Sequence, residues 1–436
     1  MYIDGFVFCD IGNRYVHIPI KNHAIKKINA ISVIKKINGQ FLLSSRMKKS
    51  LLIFPLILAM KLSAQNVRQA HQKAILIDTH NDVISNQLIT KVDLGKRQAE
   101  GNFDLVRARE GGLNAQIFSI WCGESYSKGT AFAFANREID SLYALIKRNQ
   151  DKIALVRNTK ELKKAVADKK LAALIGVEGG HMIEDRIDYI DSLAKRGMRY
   201  LTLTWNNSTS WATSARDEVT KKDSLKHLGL TDYGKQIVKH LNDLGVMVDV
   251  SHVGERTFYD VLAATTKPVI ASHSCAYSID PNRRNLKDAQ LKALAKNGGV
   301  VCINFYSGFV DSTYTLKVSK FLKQHRAELD SLIKVYHDGD LANIRLNAIY
   351  KTESDKIRPP LSLLIKHIDY IVKLIGVDYV GIGSDFDGAE SYPLGLDSVA
   401  DYPKVTAELL KLGYTQKNID KILGGNVMRV LAANIN

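Results

Sequence analysis

The sequence predicts a (β/α)8 barrel, an α/β fold in which eight parallel strands alternate with helices and close into a ring. Two observations support this prediction. From residue 66 onward, short apolar runs rich in β-branched residues alternate with amphipathic stretches of helical period. Eight such runs occur, each almost continuously hydrophobic, which is typical of parallel strands covered by helices on both faces. Eight units of strand and helix are the number that closes a barrel of this kind.

The predicted elements follow one another in order along the chain. The strands are residues 74–80, 114–121, 171–178, 199–205, 245–252, 268–273, 298–306 and 378–385. The helices predicted between them are Ala131–Lys147, Asp185–Lys195, Thr231–Leu244, Glu255–Ala264, Lys287–Lys296 and Leu361–Ile375. The lysine-rich segment 309–358 is predicted to be an insertion that shapes the mouth of a site. A doubly wound open sheet is the alternative fold, although no GxGxxG sequence follows the first strand.

The amino-terminal region differs from the rest in charge and pattern. Residues 1–64 contribute +8 to the net charge of +16. From Met47, two lysines, an apolar core over Leu51–Met60 and small residues near Ala64 have the layout of a secretory signal peptide. Lys61 ends the apolar run well before the length of about 18 residues that a membrane span needs. We therefore expect an exported protein, periplasmic or secreted, with no stable membrane anchor in its mature form.

This pattern divides the chain into three predicted parts. Residues 1–46 have no readable architecture, and we expect them to be an unstructured, non-native upstream extension, with translation starting at Met47. Residues 47–64 are the predicted signal peptide, which would be removed on export. Residues 65–436 are predicted to form one barrel domain.

Charge and cysteine content argue against two classes of protein. After residue 64 the chain has no long basic run and no basic stripe interleaved with aromatic residues, so we do not expect nucleic-acid binding. The four cysteines are Cys9, Cys122, Cys275 and Cys302, and they form no CxxC pair. This pattern argues against a disulfide framework and against a cysteine-built zinc site. Removal of the signal peptide would leave three of these cysteines, and the sequence does not decide whether two of them form a disulfide.

Ionisable side chains stand at the ends of five predicted strands. In AILIDTHNDV, the residues Asp78, His80 and Asp82 occupy alternate positions, which share one face of a strand. Beyond this strand, the ionisable residues at strand ends are Glu178, His252, His273 and Asp385. Because the carboxyl ends of all strands in a parallel barrel meet at one mouth, we expect these groups to converge there.

The residue types at these strand ends favour a metal site. Burying several carboxylates and imidazoles without partners is expensive, and a pair of divalent cations removes that expense. Imidazole and carboxylate are ligands that zinc accepts. A single histidine at a strand end is more often a hydrogen-bonded structural residue, so the prediction of a dinuclear metal site depends on the barrel being correct.

Several segments resemble the signature segments of the renal (membrane) dipeptidase family, which are zinc hydrolases of the metal-dependent amidohydrolase kind of barrel. In chain order these segments are DTHND, GVEGGH, DVSHV, SHSCAYSIDPNRRN, GGVVCINFY and GSDFDG. The resemblance extends from about residue 74 to the carboxy terminus. It implies two Zn2+ per chain. His80 and Asp82 would hold one ion, His252 and His273 the other, and Glu178 would bridge both.

The resemblance also implies roles for residues around the ions. Arg284 would bind the terminal carboxylate of the substrate, Tyr306 would lie nearby, and Asp385 would transfer the proton. One departure is Trp205 in LTLTWNN, at the position where family members carry a histidine that polarises the scissile carbonyl. Asn206 is a candidate donor in its place, and the alternative is that zinc alone stabilises the oxyanion.

The predicted function is that of a zinc-dependent dipeptidase, a peptide hydrolase of exopeptidase type. A hydroxide that bridges the two ions would attack the peptide carbonyl, with Glu178 and Asp385 as the catalytic residues. The resemblance allows a D-residue at the carboxy-terminal position of the substrate, and it allows a homodimer. The cysteines do not match the mammalian disulfide positions, so a disulfide-linked dimer is not expected.

Three other functions remain as alternatives. The nearest is another amide or lactone hydrolase on the same binuclear barrel, for example one acting on N-acyl amino acids. A metal-dependent isomerase or aldolase is disfavoured, because nothing after the seventh strand resembles a phosphate-binding loop. A non-catalytic binding protein is disfavoured by the complete set of five candidate ligands.

Overall fold

A computed structural model describes most of the chain, which divides into two units, Met1–Ser63 and Ala64–Asn436. The described residues are strands Tyr2–Ile3, Phe6–Asp10 and Tyr15–Pro19, and residues 65–85, 92–126, 129–336 and 339–435. In the first unit the three strands pair into an antiparallel sheet. This sheet corrects the expectation that residues 1–46 are unstructured throughout. The predicted signal peptide, residues 47–64, lies outside the described residues, and the start at Met47 stays a prediction.

The second unit is a closed parallel barrel, as predicted. Its strands are β1 (Leu76–Asp78), β2 (Leu113–Trp121), β3 (Ile153–Leu155), β4 (Leu171–Glu178), β5 (Met198–Thr202), β6 (Met247–Asp249), β7 (Ile270–Ser274), β8 (Val300–Ile303) and β9 (Val380–Ile382). The order across the sheet is β2-β1-β9-β8-β7-β6-β5-β4-β3, and every pairing is parallel. A further pairing of β2 with β4 closes the ring of eight strands.

Strand β3 is additional to the eight strands of the ring, and the sequence analysis did not predict it. It pairs with the first residues of β4, whereas β5 pairs with the last residues of β4 along the same edge. It therefore extends the sheet beside the ring without entering it. A strand of three residues is too short to show a period, so sequence periodicity could not reveal it. Each of the eight predicted strands overlaps one of the strands in the ring.

Helices cover the outside of the barrel. They comprise residues 65–73, Leu105–Glu110, Ala131–Arg148, Thr159–Ala167, Ile187–Lys195, Ala215–Thr220, Asp232–Asp243, Glu255–Ala264, Asp288–Asn297, Leu361–Ile375, Tyr402–Lys411, Gln416–Asp420 and Asn426–Asn434. The six predicted helices are among them. The sequence prediction missed others, including Thr159–Ala167 and Tyr402–Lys411. Within the described part of the chain, no helix has both the length and the apolar character needed to cross a bilayer.

The segment predicted to be an insertion lies between β8 and the helix Leu361–Ile375 and is helical. Its helices are Ser307–Val310, Tyr314–Gln324, Arg326–Tyr336, Gly339–Ile349 and Lys351–Ile357. The last four pack around a small apolar cluster of their own, formed by Phe321, Leu329, Ala342 and Leu346. The segment therefore forms a helical subdomain on the side of the barrel where β8 ends.

Alternation along the strands divides the apolar core into two layers. Leu76 packs outward against the helices, whereas its neighbour Ile77 packs inward. Tyr200 on β5 belongs to the inner layer and is fully buried. A Cβ on Gly176 of β4 would lie 2.0 Å from the Tyr200 ring, so the glycine makes room for this phenol inside the barrel. The Tyr200 hydroxyl thus lies inside the barrel and faces the mouth.

The three cysteines of the barrel unit are buried and unpaired. Cys122, Cys275 and Cys302 all have free thiols. The disulfide that the sequence left open is therefore not formed among them. All three thiols are buried with less than 2% exposure, so they contribute to the fold as small apolar side chains.

Candidate metal centre

Five candidate ligands lie together at the carboxyl ends of the barrel strands. His80 and Asp82 follow β1, Glu178 ends β4, His252 follows β6 and His273 lies on β7. Each of these residues is at most 8% exposed. Burial of so many ionisable groups in one cluster is rare in proteins unless the groups are paired or bind a metal.

Glu178 lies at the centre of the cluster, with each carboxylate oxygen facing a different group of side chains. Its Oε2 is 3.3 Å from His80 Nε2, which in turn lies 3.3 Å from Asp82 Oδ2. Its Oε1 is 2.9 Å from His252 Nε2 and 3.5 Å from His273 Nε2. The carboxylate is therefore shared between two sets of donors, one on each side.

The orientation of His80 is fixed from inside the barrel. Its Nδ1 lies 2.8 Å from the Tyr200 hydroxyl. That hydroxyl donates its one proton to the carbonyl of Thr79, at 3.2 Å, so it accepts from Nδ1–H of His80. In the neutral form that binds a metal, the imidazole thus carries its proton on Nδ1, which leaves the lone pair of Nε2 facing the two carboxylates.

His273 is held by a similar pair of hydrogen bonds. The Ser272 hydroxyl donates to Asp249 Oδ2 at 2.6 Å and lies 2.8 Å from His273 Nδ1. Ser272 therefore accepts from Nδ1–H, and Nε2 of His273 also carries a lone pair. Thr202 donates a second hydroxyl to the same Asp249 oxygen at 2.6 Å, which fixes the carboxylate below the cluster. Such outer partners commonly set the tautomer of metal-binding histidines.

This donor set fits divalent cations of the zinc type. Nε2 of His252 and Nε2 of His273 are 3.0 Å apart, and both face Glu178 Oε1. Within the described part of the chain, His80 Nε2 and Asp82 Oδ1 are buried without a hydrogen-bond partner. Lone pairs and carboxylate oxygens that face one another need a positive charge between them. Two overlapping groups of potential ligands share His80, one with Glu178 and His273 and one with Asp82 and Asp385.

The electrostatics of the cluster favour a positive charge near His80. Burial lowers the pKa of His80, but the Tyr200 phenol and the carboxylates of Asp82 and Glu178 outweigh burial and hold the pKa well above its ordinary value. Burial raises the pKa of Glu178, yet the three surrounding imidazoles hold that pKa well below its ordinary value. The carboxylate of Glu178 is therefore ionised and stabilises a cation on either side.

The other two imidazoles are neutral, as metal ligands must be. Burial, with the nearby charge of Arg284, lowers the pKa of His252 to about 3. Burial and the charge of His80 hold the pKa of His273 well below its ordinary value. The pKa of Asp385 is raised well above its ordinary value by burial and by neighbouring carboxylates, against an opposing effect of His80.

Asp385 is positioned by the loop that follows β9. Its Oδ1 lies 4.0 Å from His80 Nε2, and its Oδ2 accepts a hydrogen bond of 2.8 Å from Asn304 Nδ2. The backbone of Asp385 is left-handed, with φ 61°, as is that of His252, with φ 63°. Each such conformation costs about 1–3 kcal/mol in a residue other than glycine and is concentrated at functional sites.

Asp78 has a different role from the one suggested by its alternation with His80. Its carboxylate accepts hydrogen bonds from the backbone and hydroxyl of Ser384, at 2.8 and 2.7 Å, and from the Tyr402 hydroxyl, at 2.6 Å. These bonds tie the loop after β9 to β1. Asp78 therefore fixes the position of the segment that carries Asp385 and lies outside the cluster of donors.

Arg284 lies beside the histidines. Its Nη2 donates to the carbonyl of His273 at 3.3 Å, and its guanidinium lies 5.3 Å from the centre of the Phe309 ring. Burial lowers the pKa of Arg284 to about 10, which leaves the side chain charged at neutral pH. Among the described residues its Nε has no partner, although it is buried. A buried guanidinium with unused donors is suited to an incoming carboxylate.

The remaining predicted site residues lie farther out. Tyr306 donates its hydroxyl to Glu390 Oε1 at 3.0 Å. The carbonyl of Asn206 accepts a hydrogen bond of 2.6 Å from the Ser214 hydroxyl, and this is a backbone contact. The Trp205 ring lies 6.4 Å from the His252 ring. The structure therefore places Trp205 beside the cluster and gives no side-chain contact of Asn206 with it among the described residues.

Sequence reasoning missed several residues that position the cluster. Tyr200, Asp249 and Ser272 hold the histidines from within the barrel, and Asn304 holds Asp385. Asn304 did give a signal, since it is a polar residue inside the apolar run GGVVCINFY. Tyr200 and Ser272 gave none, because phenols and hydroxyls are common in buried strands and their partners are distant in sequence.

The model of the membrane dipeptidase family, Peptidase family M19, matches residues 64–435. Three solved structures share the fold. The probable dipeptidase PvdM from Pseudomonas aeruginosa is 23% identical, with a TM-score of 0.68 over 86% of this chain and 98% of that one. A Rhodobacter sphaeroides metallo peptidase, liganded with a phosphinate mimic of the dipeptide L-Ala-D-Ala, is 23% identical. Its TM-score is 0.68, over 83% of this chain and 99% of that one. Dipeptidase AC, a metallo peptidase of family M19, is 24% identical, with a TM-score of 0.68 over 83% of this chain and 98% of that one.

The bond between Tyr200 and His80 predicts a measurable effect on metal affinity. Tyr200→Phe keeps the ring but leaves His80 Nδ1–H without an acceptor, so we expect the affinity for Zn2+ to fall about 10- to 100-fold. Competition with a chromophoric chelator measures this change. Tyr143→Phe is the matched control, because Tyr143 donates its hydroxyl to the carbonyl of Arg196 outside the cluster. Equal affinities in Tyr200→Phe and wild type would show that the bond does not orient the imidazole.

Proposed function

The chain belongs to the membrane dipeptidase family, Peptidase family M19, and is a metallo-dipeptidase; we propose that it uses two zinc ions at the barrel mouth. The observation that carries this proposal is the position of Glu178. One of its oxygens faces His80 and the other faces His252 and His273. His80 and Asp82 would hold one ion, the other two histidines would hold the second, and Glu178 would bridge them.

Bound zinc would polarise the scissile carbonyl and lower the pKa of water towards about 7. The protein supplies the proton transfer. Asp385 lies beside His80 at the edge of the cluster, and Asn304 holds one of its oxygens, which leaves the other to face the donors. It would accept a proton from the attacking water and return it to the leaving amine when the C–N bond breaks. The products are the two free amino acids.

Arg284 would limit the substrate to dipeptides. Its guanidinium lies beside His273 and would present paired donors to the terminal carboxylate of a substrate bound at the ions. Since Arg284 would bind the carboxylate and not the side chain of the carboxy-terminal residue, this contact is compatible with a D-residue at that position. A related metallo peptidase was solved with a phosphinate mimic of L-Ala-D-Ala, which supports that extension.

Three finer features complete the proposal. The signal-like sequence before residue 65 supports export to the periplasm or the outside of the cell. Asn206 or zinc alone would stabilise the oxyanion, since Trp205 stands where family members carry a histidine. The proposal also allows a homodimer, and measurement of the molar mass in solution tests for it.

The direct test is hydrolysis of a dipeptide panel by the purified enzyme. We expect turnover of free dipeptides, loss of turnover after removal of metal with a chelator, and recovery when Zn2+ is added back. N-acetyl amino acids are the comparison substrates. Hydrolysis of these compounds alone would indicate a different amide hydrolase, and full turnover of dipeptides by metal-free enzyme would contradict metal dependence.

Replacement of Asp385 tests the proton transfer. Asp385→Asn preserves shape but cannot accept the proton, so we expect kcat to fall about 10²- to 10⁴-fold. The metal content should stay at the wild-type value, because the proposal assigns Asp385 no role as a ligand. Full turnover in this variant would remove Asp385 from the mechanism.

Replacement of Arg284 tests how the substrate carboxylate is recognised. Arg284→Lys loses the paired donors, so we expect kcat/KM for free dipeptides to fall about 10- to 100-fold. Dipeptide amides, which lack the carboxylate, should change much less. Arg283→Lys is the control, because Arg283 is the neighbouring residue and is exposed. If kcat/KM falls equally for free and amidated dipeptides in Arg284→Lys, the proposed contact between Arg284 and the substrate carboxylate is wrong.

A further inference from the structure

Two indole side chains lie beside each other at the mouth of the barrel and have no role in the metal centre. Trp121 ends β2, and Trp205 follows β5. Their ring centres are 5.0 Å apart, with the ring planes at 60°. Both side chains are partly exposed. They form an open apolar surface next to a cluster of charged and polar groups.

Trp121 faces the interior of the mouth. Ser119, two residues earlier on β2, shares its face of the strand, and the Ser119 hydroxyl donates to Glu178 Oε2 at 3.3 Å. Trp121 is also the residue paired in register with Glu178 across the β2–β4 ladder. The indole of Trp121 therefore lies on the same face of the barrel wall as the Glu178 side chain, at the mouth.

Trp205 is fixed between Trp121 and the ligand His252. An ideal Cβ on Gly179, the residue after Glu178, would lie 3.3 Å from the Trp205 Cβ, so the indole stem stands over this glycine. On the other side, the Trp205 ring centre is 6.4 Å from the His252 ring centre. The indole thus borders the donors that would bind the second ion.

The two indoles lie across the mouth from Arg284. In the ring of eight strands, β7 is four strands from β2 in either direction. Arg284 follows β7 and bonds to the carbonyl of His273, whereas Trp121 ends β2. The candidate metal ligands lie between these two sides. A dipeptide spans only about 7 Å when extended, so with its carboxylate at Arg284 its amino-terminal residue reaches past the ligands towards the indoles.

We propose that Trp121 and Trp205 form the subsite for the side chain of the amino-terminal residue of the substrate, and that this subsite selects aliphatic and aromatic side chains. The proposal rests on the proposed function, since it takes the position of Arg284 as the anchor of the carboxylate. Indoles offer large, rigid apolar faces, and contact with an apolar side chain removes both surfaces from water. The subsite would contribute to the choice of substrate and leave bond cleavage to the metal centre.

The experiment compares two substrate series. In the first, Gly-Ala, Leu-Ala and Phe-Ala vary the amino-terminal residue; in the second, Ala-Gly, Ala-Leu and Ala-Phe vary the carboxy-terminal one. For Trp205→Ala we expect kcat/KM for Leu-Ala and Phe-Ala to fall about tenfold or more relative to Gly-Ala. The ranking within the second series should not change. Trp205→Phe should keep most of the preference, and Trp121→Ala should reproduce the effect of Trp205→Ala.

The outcomes separate the subsite from the proposed function. If wild type hydrolyses no dipeptide, the proposed function fails. Two results with an active wild type would show that the subsite is wrong. In one, Trp205→Ala lowers kcat/KM equally for all substrates of the first series. In the other, Trp205→Ala changes the ranking of kcat/KM within the second series. Metal content and thermal unfolding of each variant are measured alongside. Should Trp205→Ala fail to fold, Trp205→Leu takes its place and must lower kcat/KM for Phe-Ala more than for Gly-Ala.

Discussion

The contact on which the rest of the site depends is the shared carboxylate of Glu178. One oxygen meets His80 and the other meets His252 and His273, each through the Nε2 ring nitrogen. Lone pairs and negative oxygens at such distances repel one another in a buried environment, where charge is poorly screened. Cations bound between them would turn that repulsion into attraction. The barrel places these groups together, and bound cations would explain why the arrangement is tolerated.

The scaffold around Glu178 is organised to hold this arrangement in place. Tyr200 crosses the barrel interior to reach His80, and Gly176 makes room for its ring. Asp249 acts through Ser272 on His273. The bond from Tyr200 on β5 to His80 after β1 spans the ring, so ring closure and ligand orientation support each other. The left-handed residues of the site persist because the surrounding bonds over-determine their conformation.

Sequence reasoning predicted the ring and the convergence of the candidate ligands at its mouth, because both depend on local patterns. Apolar runs identify the strands, and a histidine or carboxylate directly after a run is placed at the mouth by the parallel topology. It could not predict contacts that arise only when the ring closes. Tyr200 reaches His80 across 120 positions of sequence, and Asp78 bonds to Ser384 across 306. The alternation of Asp78 with His80 was a correct observation, but it could not show that Asp78 would face another partner.

Anomalous diffraction at the zinc absorption edge, from crystals of the zinc-loaded protein, would show whether two metal ions are bound on either side of Glu178. We expect two anomalous peaks per chain, one beside His80 and Asp82 and the other beside His252 and His273. A single peak, or peaks away from the Glu178 carboxylate, would contradict this expectation.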